Sequence, residues 1–240
     1  MRAQPEQQAP PVQRLRVRYA KRGRLRFTSH RDFSRAFERA LVRARIPMAY
    51  SSGFNPHPRI SYAGASPTGA ASEAEYLEIG LAEVVDPAEL AAELDRAMPD
   101  GLDVVEVVPA GAGSLADRLD ASRWQIDLLL ATDAVRPVVE AFLARDSVTV
   151  ERMTKKGLRT FDTRAAVLSL QVSDPDDGTD GRARLVAVVR HSVPAVRPDD
   201  VLTGLRQLGD LGDLGTALVT RLEQGPLDEA TGTIGDPLSG

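Results

Sequence analysis

Hydrophobic and polar residues alternate along Arg14–Tyr19, where Leu15, Val17 and Tyr19 interleave with Arg14, Arg16 and Arg18. A period of two is that of a strand with one buried face. After a turn at Lys21-Arg22-Gly23, Leu25 and Phe27 resume the alternation against Arg24 and Arg26, which predicts a second extended piece. The period then lengthens. Phe33, Ala36, Phe37, Ala40, Leu41 and Ala44 share one face of a helix. Ser29 followed by Asp32 marks its start, and Pro47 ends it by about Arg45.

A Gly- and Pro-rich stretch covers residues 51–70, with one strand expected near Met48–Ser51 or Arg59–Tyr62. Residues 73–82 alternate as a strand. Asp86-Pro87 opens a second helix, with Asp86 as N-cap and Pro87 at the first helical position. Residues 102–108 form a further strand. The order restarts after 109–121: strands at 124–131, 147–153, 164–172 and 183–190, with helices at 133–145 and 198–208. A short helix near 214–223 is the last element the pattern offers.

These elements predict an α+β protein of two ferredoxin-like halves (β-α-β-β-α-β) with antiparallel sheets, or else one mixed sheet spanning both halves. The expected organisation is a disordered segment at 1–11, a first domain at 12–108, a linker at 109–121, a second domain at 122–208 and a weakly structured tail at 209–240. The halves share element order without a sequence repeat.

Composition excludes several chemistries. The 240 residues contain no cysteine, so disulfides, cysteine nucleophiles and cysteine-held iron–sulfur clusters are absent from this chain. Three histidines (His30, His57, His191) leave little for a metal centre, and no cofactor is expected. No apolar run reaches the roughly 18 residues of a membrane span, and the N-terminus lacks a signal-peptide pattern, so the expected address is the cytoplasm with no membrane partner.

Charge is unevenly distributed behind the net value of −4. Residues 1–60 hold 14 Lys+Arg and 3 Asp+Glu; residues 61–120 hold 2 and 13. Such a swing fits either a basic surface for a polyanion or two segments that pack and neutralise each other. On the first helix Arg31, Arg35, Arg39 and Arg43 form an i+4 ridge, rising about 6 Å per step. The nucleic-acid-binding candidates are Arg24, Arg26, Arg31, Arg35, Arg39, Arg43, Lys155 and Lys156. His30, His57 and Glu73 are the candidates for acid–base chemistry. His191, at a strand end, reads as structural. Walker, GxGxxG, HExxH, GxSxG and RRM patterns are absent.

FTSHRDFSRAFERAL, IPMAYSSGFNPHPRISYA, PTGAASEAEYLEI and TKKGLRTFDTR occur in order. Together they resemble the radical-SAM-linked family of uncharacterised bacterial proteins over roughly residues 12–208. Carried over by position, the motif residues are Ser29, His30, Asp32 and Arg35, then Tyr50, Ser51, Gly53, Phe54, Asn55, Pro56, His57 and Pro58. Glu73 and Glu75 follow, then Thr154, Lys155, Lys156, Gly157, Asp162 and Arg164. The resemblance implies a gene beside, or fused to, a cobalamin-binding radical-SAM protein, often near ribonuclease E/G and ribosomal-protein genes. Without cysteines the chain would be the companion and not the radical enzyme. The expected function is therefore a non-catalytic accessory protein of a radical-SAM enzyme that binds RNA or a ribosomal component. The alternatives are a metal-independent RNA-acting enzyme using His30 and His57, and a protein scaffold for the radical-SAM partner.

Overall fold

The structure is a computed structural model that describes residues 7–154, 157–175, 182–209, 211 and 217–239. The chain divides into two compact units, residues 1–118 with 237–240, and residues 119–236. Both are α+β with antiparallel strand pairing.

The first unit contains β1 (Gln13–Lys21), α1 (His30–Arg43), β2 (Ile60–Ala63), β3 (Ala71–Leu81), α2 (Pro87–Ala97) and β4 (Val104–Pro109). Its strands lie in the order β4-β1-β3-β2. The register sets Leu15 opposite Ile79 and Val17 opposite Leu77. These side chains leave the sheet on one face, where Phe33, Phe37 and Leu41 of α1 and Leu90 and Leu94 of α2 bury them. Ser29 caps α1 by accepting from the Asp32 N–H at 3.2 Å, and its hydroxyl donates to the Asp32 carboxylate at 2.6 Å. Asp86 caps α2 in the same way through the N–H groups of Ala88 and Glu89.

The extended piece expected at Leu25 and Phe27 is a 3₁₀ turn, Gly23–Phe27. Gly23 has φ +53°, and the N–H groups of Leu25 and Thr28 bond to the carbonyls of Arg22 and Leu25. With its donors satisfied within the turn, the segment has no ladder to join. Of the two alternatives for the middle strand, the later is the strand; Met48 and Tyr50 make only isolated bridges, to Leu81 and Pro58. Within the segment 1–11 expected to be disordered, the Gln8 N–H donates to Ser52 Oγ at 2.9 Å and Pro11 packs on Gly80. Residues 1–6 lie outside the described residues.

The second unit contains β5 (Ala121–Leu128), α3 (Thr132–Leu143), β6 (Thr149–Thr154), β7 (Gly157–Asp162), α4 (Thr163–Ala166), β8 (Val167–Ser173), β9 (Ala183–Arg190), α5 (Pro198–Arg206), β10 (Leu218–Gly225), β11 (Leu227–Asp228) and β12 (Thr233–Ile234). The sheet order is β10-β5-β9-β8, with β6–β7 and β11–β12 as separate ribbons. β10 falls inside the 209–240 segment expected to be weakly structured, and partly where a helix was expected. A register shift between Arg221 and Glu223 breaks its alternation, which hides the strand in the sequence. β7 is exposed on both faces except at Phe161 and Asp162, so it too lacks a periodic signal. The strand expected from Arg164 begins at Val167, because Asp162 first caps the short α4.

Candidate functional site

The basic N-terminal quarter separates into two populations. Several arginines on and just after β1 face carboxylates or carbonyls. Arg16 is fully buried, its Nε 3.4 Å from Glu78, and Arg14 reaches the same carboxylate at 3.6 Å. Arg22 holds Glu73 through Nε at 2.8 Å and a second nitrogen, and Asp103 at 2.7 Å. These hydrogen bonds hold the Arg22 guanidinium pKa above its ordinary value. Arg18 donates to the Glu73 carbonyl at 2.9 Å. Carboxylates of the acidic quarter thus pair with Arg16 and Arg22, whereas Arg18 is held by a backbone carbonyl and the exposed Arg14 only approaches Glu78.

The helix arginines are different. Arg31, Arg35 and Arg39 are exposed along α1 and form no ion pair among the described residues. Asp32 is engaged in the cap, which leaves Glu38 as the other carboxylate of the helix. Arg43, at the end of the ridge, donates to the Ala97 carbonyl at 3.1 Å and ties α1 to α2. Arg24 is exposed, whereas Arg26 lies over the Phe27 ring at 4.5 Å. Lys155 and Lys156 lie outside the described residues.

The 50–58 loop is closed by its own hydrogen bonds. The Ser51 N–H donates to the His57 carbonyl at 2.8 Å, and the His57 N–H donates to Ser51 Oγ at 3.0 Å. Gly53, at φ +131°, makes the bend, and Phe54 and Asn55 stand exposed at the tip. Tyr50 is also exposed, and its carbonyl accepts from Arg59 Nε at 3.1 Å. His57 lines a groove of about 320 Å³ with Arg14, Ser51, Arg59, Ser61 and Glu78.

His30 is not part of that groove. It stands at the start of α1 with its ring edge-on to Tyr62 at 4.8 Å. Burial raises the Tyr62 phenol pKa, against a smaller pull from Ser34. Glu73 has both oxygens committed to Arg22, which leaves it poorly placed as a general base. Glu75 is 2% exposed and accepts from the Ser66 N–H at 3.1 Å, bracing the turn before β3. Asp162 and Arg164 brace the second unit. Burial pushes the Asp162 carboxyl up, but donors including the Ala165 and Val148 N–H groups outweigh it and hold its pKa below the ordinary value. Arg164 donates to the Val167 carbonyl at 3.0 Å. Sequence reasoning missed Arg14, Arg59 and Glu78 as groove residues, since the three come from separate strands and a loop.

His191 is more than a strand-end residue. Its Nδ1 donates to the Leu119 carbonyl at 2.7 Å, so the neutral ring accepts at Nε2 from the buried Ser122 hydroxyl at 2.6 Å. Desolvation of the ring, followed by the charge of Arg221, lowers the His191 pKa, against the Leu119 bond and Asp120. No cluster of three or more metal-ligating side chains occurs among the described residues. No helix among them is long and apolar enough to cross a membrane.

A family model described as uncharacterized protein conserved in bacteria (DUF2344) matches residues 14–198. The chain belongs to this family. It matches no curated protein sequence. Among solved structures it is similar to an unknown protein from Galdieria sulphuraria, at 14% identity and TM-score 0.24, covering 88% of this chain and 98% of that one.

Proposed function

We propose that this member of the family is a non-catalytic accessory protein that binds RNA through the α1 arginine ridge. The observation that carries the reading is that Arg31, Arg35 and Arg39 remain exposed and without ion pairs among the described residues, although carboxylates pair with Arg16 and Arg22. Guanidinium groups kept open to water in a row suit successive phosphates. The association with a radical-SAM enzyme rests on the four sequence motifs and on the absence of cysteine, which assigns the cluster to the partner. A ferredoxin-like reading of both units is supported by the strand orders β4-β1-β3-β2 and β10-β5-β9-β8.

The test is RNA binding titrated against salt. Single-stranded RNA should bind with log K falling by about 0.7 per phosphate contacted for each tenfold rise in salt. Arg35→Ala with Arg39→Ala should reduce that slope by about 1.4, the loss of two contacts. Affinity that ignores salt, or a double variant with the wild-type slope, refutes the reading. Affinity capture with mass spectrometry tests the partner: recovery of a cysteine-rich cluster protein is expected, and its absence counts against the association.

A further inference from the structure

The groove beside the 50–58 loop lies apart from the α1 ridge in its residues and is not used by the proposed RNA contact. We infer that it is a binding site for a phosphorylated small ligand carrying hydroxyl groups, of the size of a nucleoside monophosphate. Two guanidinium groups, Arg14 and Arg59, line a space of about 320 Å³ together with His57, Ser51 and Ser61. That volume is at the small end of small-molecule sites.

The charge balance favours an anion. Glu78 is the acidic residue of the lining, and Arg16, fully buried, is 3.4 Å from it. Its charge is therefore offset before Arg14 and Arg59 are counted. Arg14 has a side chain 63% exposed and only a 3.6 Å approach to Glu78, so its donors remain available. Arg59 uses Nε on the Tyr50 carbonyl at 3.1 Å, which fixes the side chain while its terminal nitrogens stay without a hydrogen bond among the described residues. Planar guanidinium forks match phosphate oxygens, and charge-assisted bonds of this kind are the strong ones. Glu78, pinned from both sides by arginines, supplies an acceptor for a ligand hydroxyl.

The walls are preorganised. The paired bonds between Ser51 and His57 set the loop, and the Gly80 N–H donates to the Arg59 carbonyl at 2.9 Å, which joins the loop to β3. A Cβ at Gly80 would meet Pro11 at 2.8 Å, so the missing side chain lets the N-terminal segment close one side. A site already shaped loses less freedom on binding.

The phosphate could arrive on a free nucleotide or on the 5′ end of an RNA, and calorimetry separates the two. Ribose 5-phosphate and the four nucleoside 5′-monophosphates should bind saturably, with at least tenfold preference over the unphosphorylated nucleosides. Arg14→Ala and Arg59→Lys should each weaken that binding tenfold or more, while Arg136→Ala, at an exposed position of α3 outside the groove, leaves it unchanged. A 5′-phosphorylated oligoribonucleotide that competes better than its 5′-hydroxyl form assigns the site to RNA ends. Equal competition by the two forms, with mononucleotide binding intact, assigns it to free nucleotides. Absence of saturable binding by every phosphorylated probe at millimolar concentration overturns the inference, as does binding that both groove variants leave intact. Failure of RNA binding at the α1 ridge leaves the mononucleotide outcomes untouched, since no ridge arginine lines the groove.

Discussion

The buried guanidinium of Arg16 lies 3.4 Å from the Glu78 carboxylate, and its outer nitrogen donates to the carbonyls of Gly111 and Gly113 at 3.3 and 2.9 Å. β1 and β3 set the two residues directly opposite each other, and the segment after β4 closes over them. Removing one partner of a buried pair leaves an uncompensated charge, at a cost of about 3–5 kcal/mol. Glu78→Ala is therefore expected to lower the unfolding free energy by about 3 kcal/mol in urea titrations at pH 7. Replacing both residues, as in Arg16→Met with Glu78→Leu, should recover most of that loss. A single-variant loss below about 1 kcal/mol would mark the pair as effectively solvated.

His191 makes stability depend on pH. Its folded pKa is below the ordinary 6.5, so the folded protein favours the neutral ring. As pH falls through 6.5, the unfolded chain takes up the proton first and gains relative to the folded one. The contribution is fully present above pH 6.5 and is lost as pH falls toward the folded pKa. Thermal midpoints between pH 8 and pH 5 should drop more for the wild type than for His191→Asn. Parallel pH profiles for the two proteins would contradict this assignment.

Gly204 sets helix propensity against packing. In an exposed helix, Gly→Ala gains about 1 kcal/mol. At Gly204, within α5, an added Cβ would meet Thr163 Oγ1 at 2.8 Å, Val148 at 3.1 Å and Phe142 at 3.3 Å. The Thr163 hydroxyl is buried and donates to the Val148 carbonyl at 2.8 Å, so it cannot easily yield. Overpacking costs about 1–3 kcal/mol and should win. Gly204→Ala is expected to destabilise the protein in denaturant titrations; a stabilised variant would show that the α5 contact is loose.

Ser29 closes the first turn of α1 and thereby fixes where the arginine ridge begins. Ser29→Ala removes the acceptor for the Asp32 N–H, a loss of about 1 kcal/mol. Ser29→Thr keeps both the acceptor and the donor to Asp32 and should restore most of it. Equal stability of Ser29→Ala and wild type in urea would show that the cap contributes nothing.

Local signals marked much of the architecture. The period of two at Arg14–Tyr19 and the period of 3.6 from Phe33 to Ala44 each report burial of one face, which any sheet or helix of that sequence would need. Ser29, Asp86 and Pro87 marked helix starts because their chemistry acts within three residues. The same reasoning placed Arg31, Arg35 and Arg39 away from the core, since the apolar stripe of α1 leaves them no other side. Elements without a buried stripe stayed hidden: β7 is mostly exposed, β10 carries a bulge, and Gly23–Phe27 closes on its own carbonyls. What tertiary structure alone decided was the fate of individual charges. Arg14, Arg16 and Arg18 are equivalent in the sequence, yet cross-strand register puts Arg16 opposite Glu78, and the fold brings Glu73 and Asp103 to Arg22. The groove of Arg14, His57, Arg59 and Glu78 draws on residues up to 64 positions apart. Pairing between distant strands is set by the whole sheet, and no local period carries that information.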